Sequence, residues 1–247
     1  MINKLLLQLG SDIPFVEAQI DIHQPKMNEV ALIGENTVYN ACFFIDFQKD
    51  LLSEEDRSDL DNKTNFEIFM SIMCTKNDRK LKNQVLMLFA LLFPEYEIEI
   101  DTSKLILKHY QKDLISCIDN TNYDIFRDII RKMFCLEELK ASSTTSYNPA
   151  DERARKIAEK LSKRKNKGKE DNEESKMDSL FDKYISILSV GLQKDKNSFS
   201  SYTIYQLLDE YNRFQAKISY EAYVQAKLAG AENLDEVDHW MNNNLHS

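Results

Sequence analysis

A run of charged residues divides this 247-residue chain and limits what it can fold into. Between residues 153 and 169 nine side chains are basic and one, Glu159, is acidic, which gives this basic segment a net charge of +8. Residues 141–150, ASSTTSYNPA, are small or polar and show no core pattern. A stretch of this kind buries little apolar area. Residues 141–177 are therefore predicted to be a charged flexible linker, whose first part can form a solvated helix.

Two folded units are expected on either side of the linker, over residues 1–140 and 178–247. Hydrophobic residues make up 43% of the chain, which is enough for a real core. The 5 Gly and 4 Pro are too few for a turn-rich all-β fold. The predicted fold class is α+β, mainly α-helical: an N-terminal helical domain with a few short strands, the charged linker, and a small C-terminal helical unit.

The pattern in the first unit begins with two expected strands, at 3–9 and 18–22. A helix is then expected from Pro25, whose fixed φ suits the first helical turn, with a break or kink at Gly34. The segment from Leu81 to Phe93 is apolar nearly all round, so it is predicted to form a helix at the centre of the core.

Three further elements are expected in this unit. Asn65 is predicted to cap a helix with one apolar side, and residues 96–101 and 104–109 alternate as in a β-hairpin. A last helix is expected from Asn122 to Leu139. Its inward side chains are predicted to be Ile125, Phe126, Ile129, Ile130, Met133 and Phe134.

The second unit is predicted to contain one helix over residues 178–192 and three short helices between residues 200 and 241. Ser200 or Ser201 is the expected first cap, Gly230 is placed to end the second helix, and Asn233 is the expected cap of the third. The block is rich in aromatic residues for its size.

These aromatic residues support two interpretations. They can form a small helical core, or some of them can form a docking surface, because Tyr and Trp bury large rigid area and keep a polar atom for a partner. Tyr202 and Tyr205 are predicted to lie off the core face of their helix. The partner-binding candidates are Tyr202, Tyr205, Tyr223 and Trp240, and Trp240 is equally well explained as the anchor of the core.

Three stretches of the chain are similar to one known protein family. They read YQLLDEYNRFQAKISYEAYVQAKLAGAENLDEVDHWM near the end, and IHQPKMNEVALIGENTVYNACFFIDF and NFEIFMSIM in the first unit. The stretch near the end matches three motifs of that family in order: Tyr-x-Leu-hydrophobic-Asp-Glu-aromatic, Ala-Lys-Leu-Ala-Gly-Ala and Glu-Val-x-x-Trp-Met. In these motifs the chain resembles the tail assembly chaperones of long-tailed bacteriophages of Gram-positive hosts, which are related in role to those of lambda-like phages.

The resemblance implies a function and two partners. Such chaperones bind the long, helical, aggregation-prone tape measure protein, keep it soluble, and help to bring tail tube subunits onto it. It also implies action in the cytoplasm of a bacterial host, and self-association remains open.

The basic segment supports an alternative, a nucleic-acid-binding regulatory protein. Two observations count against nucleic-acid contact: the net charge of the whole chain is −9, and no aromatic residues interleave with the basic ones to stack on bases. The candidate contacts are Arg153, Arg155, Lys163, Arg164 and Lys165.

An enzyme, a metal protein and a membrane protein are all disfavoured. The five glycines are isolated, and no phosphate loop, Gly-x-Ser-x-Gly, His-Glu-x-x-His or Cys-x-x-Cys motif occurs. The four cysteines and four histidines are scattered, so no metal or other cofactor is expected. The longest apolar run, about nine residues around 85–93, is too short for a membrane span. A cytoplasmic protein is expected.

Overall fold

The computed structural model describes residues 2–47, 62–74, 79–137, 179–231, 234, 237 and 239–241. These residues form an α+β fold that is mainly helical, as predicted. The α-helices of the described part are α1 (Lys4–Leu9), α2 (Met27–Ile33), α3 (Glu35–Ile45), α4 (Asn65–Cys74), α5 (Arg79–Leu92), α6 (Tyr123–Met133), α7 (Leu180–Leu192) and α8 (Ile204–Leu228). The strands are β1 (Ile13–Phe15), β2 (Ile20–Ile22), β3 (Tyr96–Ile100), β4 (Leu105–His109) and β5 (Ile115–Ile118).

The first element is the helix α1, so the prediction of a strand over 3–9 was wrong. The Asn3 side chain accepts a hydrogen bond from the Leu5 backbone N–H at 3.0 Å and caps the helix. Gly10 ends it in the left-handed region, at φ +64°. Because both ends of this short apolar run carry helix-terminating residues, the local capping outweighs the strand-like composition.

A two-stranded antiparallel hairpin follows α1. Ile13 pairs with Ile22 and Phe15 with Ile20, and all four side chains are buried. The second strand lies within the range predicted for it. A 3₁₀ helix, Val16–Ala18, joins the strands and ends at Gln19, whose φ of +55° is in the left-handed region.

Gly34 separates α2 from α3, which confirms the predicted break. Its φ of +88° is one that side-chain-bearing residues rarely adopt. The chain turns there, and α3 packs against α5. The predicted central position of the apolar helix α5 is also confirmed. Its residues Val85, Leu88, Phe89 and Leu92 are all at most 1% exposed.

The predicted β-hairpin is β3–β4, with Tyr96 opposite His109 and Ile100 opposite Leu105. A third strand, β5, pairs antiparallel with β4 and was not predicted. Its sequence is short and its inward positions include Ser116, so the alternation of apolar and polar residues is weak there.

Helices α4 and α6 begin and pack nearly as predicted. Thr64, rather than Asn65, caps α4: its hydroxyl accepts from the Glu67 N–H at 3.2 Å, and the Glu67 carboxylate accepts from the Thr64 N–H at 2.8 Å. Helix α6 ends at Met133 rather than at the predicted Leu139, and Cys135 just after it has a φ of +51°. Ile125 was predicted to face inward but is 40% exposed.

The first two of the three short helices predicted after residue 200 are one continuous helix, α8. Its cap is Thr203, in a reciprocal capping box with Gln206, because Ser200 and Ser201 belong to a 3₁₀ helix, Lys196–Ser201. Gly230 follows the end of α8 at φ +87°, as expected. The predicted third helix lies largely outside the described residues.

Helices α7 and α8 pack on the first part of the chain. The Glu35 carboxylate at the start of α3 accepts hydrogen bonds from the Leu180 and Phe181 N–H groups at 3.0 and 3.3 Å, at the start of α7. Lys26 and Thr203 form an isolated antiparallel bridge, and buried residues from both regions belong to one hydrophobic core. The domain boundaries stay a prediction, because the proposed linker, residues 141–177, lies outside the described residues.

Candidate functional site

Helix α8 extends well past its packing partner α7. It has 25 residues against 13 in α7, so at 1.5 Å per residue it is longer by about 18 Å. Its buried residues all lie within the first six positions, between Ile204 and Asp209. Beyond Phe214, which packs against Gly191 of α7, no described residue of α8 is buried. The second half of α8 therefore projects from the core.

Aromatic side chains gather on this projecting half. The ring centroids of Tyr220 and Tyr223 lie 6.5 Å apart. The terminal residues return to the helix, because the His239 ring meets Tyr220 edge-on at 4.6 Å and stacks on Trp240 at 5.9 Å. We refer to Tyr220, Tyr223, His239 and Trp240 as the aromatic cluster. All four side chains are half-buried, so each keeps an accessible face.

Exposed aliphatic side chains also occur in this part of the chain. Ile218 and Leu228 of α8 are 48% and 83% exposed, and Met241 is 67% exposed. Lys227 lies with its Nζ 5.3 Å from the Tyr223 ring centroid, a cation–π contact that leaves the rest of the ring available. The projecting half of α8 thus offers apolar area that the described residues leave uncovered.

The four predicted partner-binding residues divide into two pairs. Tyr223 and Trp240 belong to the aromatic cluster, and Trp240 is not part of the hydrophobic core. Tyr202 and Tyr205 lie at the other end of α8, where the helix meets the core. The structure therefore brings Tyr223 and Trp240 into one surface and separates the other two residues from it.

The prediction that Tyr205 lies off the core face was wrong, since it is only 3% exposed. The first turns of α8 contact α7 and also α1 and α6, so two faces of the helix are buried there. The Gln206 side-chain amide, for example, donates a hydrogen bond to the Gln8 carbonyl at 2.8 Å. A helix that docks on two sides needs a second apolar face, and Tyr205 supplies it.

Tyr202 is half-buried and engaged in local contacts. Its ring meets Phe199 edge-on at 5.2 Å, and its hydroxyl oxygen accepts a hydrogen bond from Lys194 Nζ at 3.1 Å. This hydrogen bond, with the nearby Glu210 carboxylate, raises the pKa of Lys194 above its ordinary value. The Tyr202 carbonyl accepts from the Met27 N–H at 2.8 Å. These contacts make Tyr202 part of the seam between α8 and the first part of the chain.

Sequence reasoning missed two members of the aromatic cluster as site residues, Tyr220 and His239. The spacing of Tyr220 and Tyr223 by three places both on one helical side, which is the signal that could have found the first. Nothing in the local sequence pairs His239 with Tyr220, because that contact depends on the return of the chain after Gly230.

Several other sequence-based candidates are not placed by the structure. The predicted nucleic-acid contacts between Arg153 and Lys165 lie outside the described residues. Within the ranges that are described, no three His, Cys, Asp or Glu side chains are grouped so that they could hold a metal ion. In the same ranges no helix has the length and apolar character needed to cross a membrane.

Comparison with known proteins finds a similarity in the C-terminal region. A family model described as the YomV second domain matches residues 171–244, which include α7, α8 and the whole aromatic cluster. This is a phage-type family, and the match is consistent with a phage protein. It covers less than a third of the chain. No curated protein and no solved structure gives a significant match.

Proposed function

We propose that this chain is a phage tail assembly chaperone that binds the tape measure protein through the projecting half of α8. The observation that carries the proposal is that the match to a phage-type domain covers the region that presents the aromatic cluster. The similarity of the chain to tail assembly chaperones supplies the identity of the partner. We propose no enzymatic activity, and the proposed place of action is the cytoplasm of the bacterial host.

The physical basis of the proposal is the match between this surface and a helical partner. Long helices with exposed apolar stripes aggregate unless the stripes are covered. Half-buried tyrosines and a tryptophan provide rigid apolar area and keep a polar atom at the rim of the contact. The aromatic cluster can cover a short length of such a stripe. The recruitment of tail tube subunits would be a separate activity of the same chaperone.

Co-expression with the tape measure protein tests the proposal. We expect the tape measure protein to become more soluble and to co-purify with this chain. Replacing Tyr223 and Trp240 together with Ala should weaken the complex by ~2–4 kcal/mol, in the range of aromatic hot spots. Both side chains are half-buried and lie outside the core, so the melting temperature should change little.

Tyr110 provides the matched control. It is 68% exposed in the turn between β4 and β5, remote in sequence from α8, so Tyr110→Ala should leave binding unchanged. A tape measure protein that stays insoluble would refute the chaperone function. Equal affinity of the double variant and the wild type would instead move the binding surface elsewhere.

The nucleic-acid alternative depends on the basic segment alone. A chain that binds through this net charge of +8 would release counterions, so its affinity should fall steeply with salt. A gel-shift series at rising salt, with and without residues 153–169, distinguishes the two functions. Binding tighter than about micromolar at physiological salt that is lost on deletion would favour the regulator, since non-specific binding is weaker.

A further inference from the structure

A groove opens in the first part of the chain, where α1, the β1 strand, the first 3₁₀ helix and α6 meet. It encloses about 240 Å³. Ile13 and Ile129, which are 1% and 3% exposed, form its floor, and Val16 and Ile125 line its walls. The groove is remote from the aromatic cluster in sequence and shares no residue with it.

The aliphatic side chains in the walls of the groove are exposed. Val16 is 72% exposed and Ile125 is 40% exposed. On α6 the neighbouring positions Phe126, Ile129 and Ile130 already supply the face that packs into the core. Ile125 is therefore left at the edge of that face, which explains why the prediction that it points inward was wrong. Its side chain lines the groove instead.

The rim of the groove is acidic. Glu17 and Asp128 both line it, and no lysine, arginine or histidine does so. Glu17 forms no ion pair with any residue in the described ranges. Asp128 pairs with Lys132 at 2.7 Å, but both side chains are more than 40% exposed, so this pair is weak and can rearrange.

We propose that this groove binds a segment of a partner protein in which one or two aliphatic side chains lie next to a lysine or arginine. The volume is below the range of about 300–1,000 Å³ typical of sites for whole small molecules, which favours the insertion of side chains. The acidic rim selects the charge of the partner, because a cation beside the inserted side chain meets Glu17 and an anion is repelled. The inference does not depend on the chaperone function.

A pair of designed peptides tests both parts of the proposal. The first is an amphipathic helix of Leu and Lys, about 14 residues or four turns long, and the second has Glu in place of every Lys. Isothermal titration calorimetry with the full chain should show binding of the Leu/Lys peptide and no binding of the Leu/Glu peptide. No binding of the Leu/Lys peptide, or equal binding of both, would overturn the proposal.

Substitutions in the walls locate the binding. Val16→Glu and Ile125→Glu should each weaken the Leu/Lys complex by at least about 10-fold, as loss of a central apolar contact does. The added carboxylate would by itself attract a cationic peptide, so a loss must come from the apolar contact. Val190→Glu is the matched control, because Val190 is 81% exposed on α7 and does not line the groove. An equal loss in Val190→Glu, or full affinity in both groove variants, would refute the proposed location.

Two further measurements test the role of the acidic rim and whether the groove is an interface between copies of this chain. Glu17→Gln should weaken the complex by about 2- to 5-fold and reduce its salt dependence, as expected for one exposed charge pair. An unchanged salt dependence would contradict the role of the acidic rim. If sedimentation shows that the wild type self-associates and Val16→Glu does not, the groove is an interface between copies of this chain, and the proposal of a separate basic partner is wrong.

Discussion

The Asp46 carboxylate lies 2.6 Å from Nη2 of Arg131, although Asp46 is only 1% exposed. Arg127 completes this contact between α3 and α6, because it donates hydrogen bonds to the carbonyls of Ile45 and Phe47 at 3.2 and 3.0 Å. The end of a helix leaves carbonyl groups without partners, and here arginines of another helix satisfy them. The buried charge is thus paired and hydrogen-bonded, as stability requires.

Asp46→Asn should therefore destabilise the chain strongly. The substitution leaves the half-buried Arg131 guanidinium with only the exposed Glu137 carboxylate, at 3.9 Å, and breaking such a buried pair costs ~3–5 kcal/mol. Urea unfolding followed by circular dichroism measures the change. Asp128→Asn is the control, because the exposed pair between Asp128 and Lys132 contributes no more than ~0.5 kcal/mol. Equal destabilisation by the two substitutions would contradict the structural role of Asp46.

The contact between Glu35 and the start of α7 gives a second prediction. Glu35→Gln keeps the size of the side chain but removes the charge that accepts from the Leu180 and Phe181 N–H groups. Hydrogen bonds to charged groups contribute ~1.5–3 kcal/mol, so the first turn of α7 should open more often. Hydrogen exchange at residues 180–183 should accelerate. Glu97→Gln, on the exposed side of β3, should leave this exchange unchanged. Unaltered protection in Glu35→Gln would refute the contact.

Asp119 gives a prediction about pH. Hydrogen bonds from the Thr121 hydroxyl and N–H, at 2.6 and 2.8 Å, lower the pKa of this carboxyl below its ordinary value of 3.8. A lowered folded-state pKa contributes stability that is present above the ordinary value and is lost as the pH falls through the folded value. Thr121→Val removes the hydroxyl, so the pKa of Asp119 should rise, and the stability difference from the wild type should shrink in acid.

An NMR titration of the Asp119 carboxyl carbon measures this change directly. Thr102→Val removes the corresponding hydroxyl beside Asp101, in the turn between β3 and β4, and should not alter the titration of Asp119. A midpoint for Asp119 that is the same in wild type and Thr121→Val would show that the hydroxyl does not stabilise the charged form.

Helix boundaries could be predicted where the sequence carries its own stop signals. Gly34 ended α2 as expected, since glycine readily adopts the positive φ that the chain has there. The error at α1 came from reading the apolar run LLL as a strand and giving too little weight to Asn3 and Gly10, which cap the run on both sides. The break predicted within α8 was also wrong, because no Gly or Pro interrupts residues 204–228.

Features that depend on distant contacts could not be predicted. Tyr205 is buried because α8 docks on α1. Ile125 is exposed because other residues of α6 form the face that packs into the core. The spacing placed Ile125 on the core face and Tyr205 off it, and the structure has the reverse. In the candidate site, Tyr223 and Trp240 could be named from residue type alone. The contact between Tyr220 and His239 could not, because it forms only when the chain after Gly230 folds back onto α8.

Because α8 is one continuous helix, a movement of its buried end is transmitted to its projecting end. One end of the helix is seated in the core by Ile204, Leu207 and Leu208, and the other carries Tyr220 and Tyr223 into solvent. A rigid helix of 25 residues is about 37 Å long, so tilting its seat by about 10° displaces the far end by about 6 Å. A small rearrangement among α1, α6 and α8 is thereby amplified into a large displacement of Tyr220 and Tyr223.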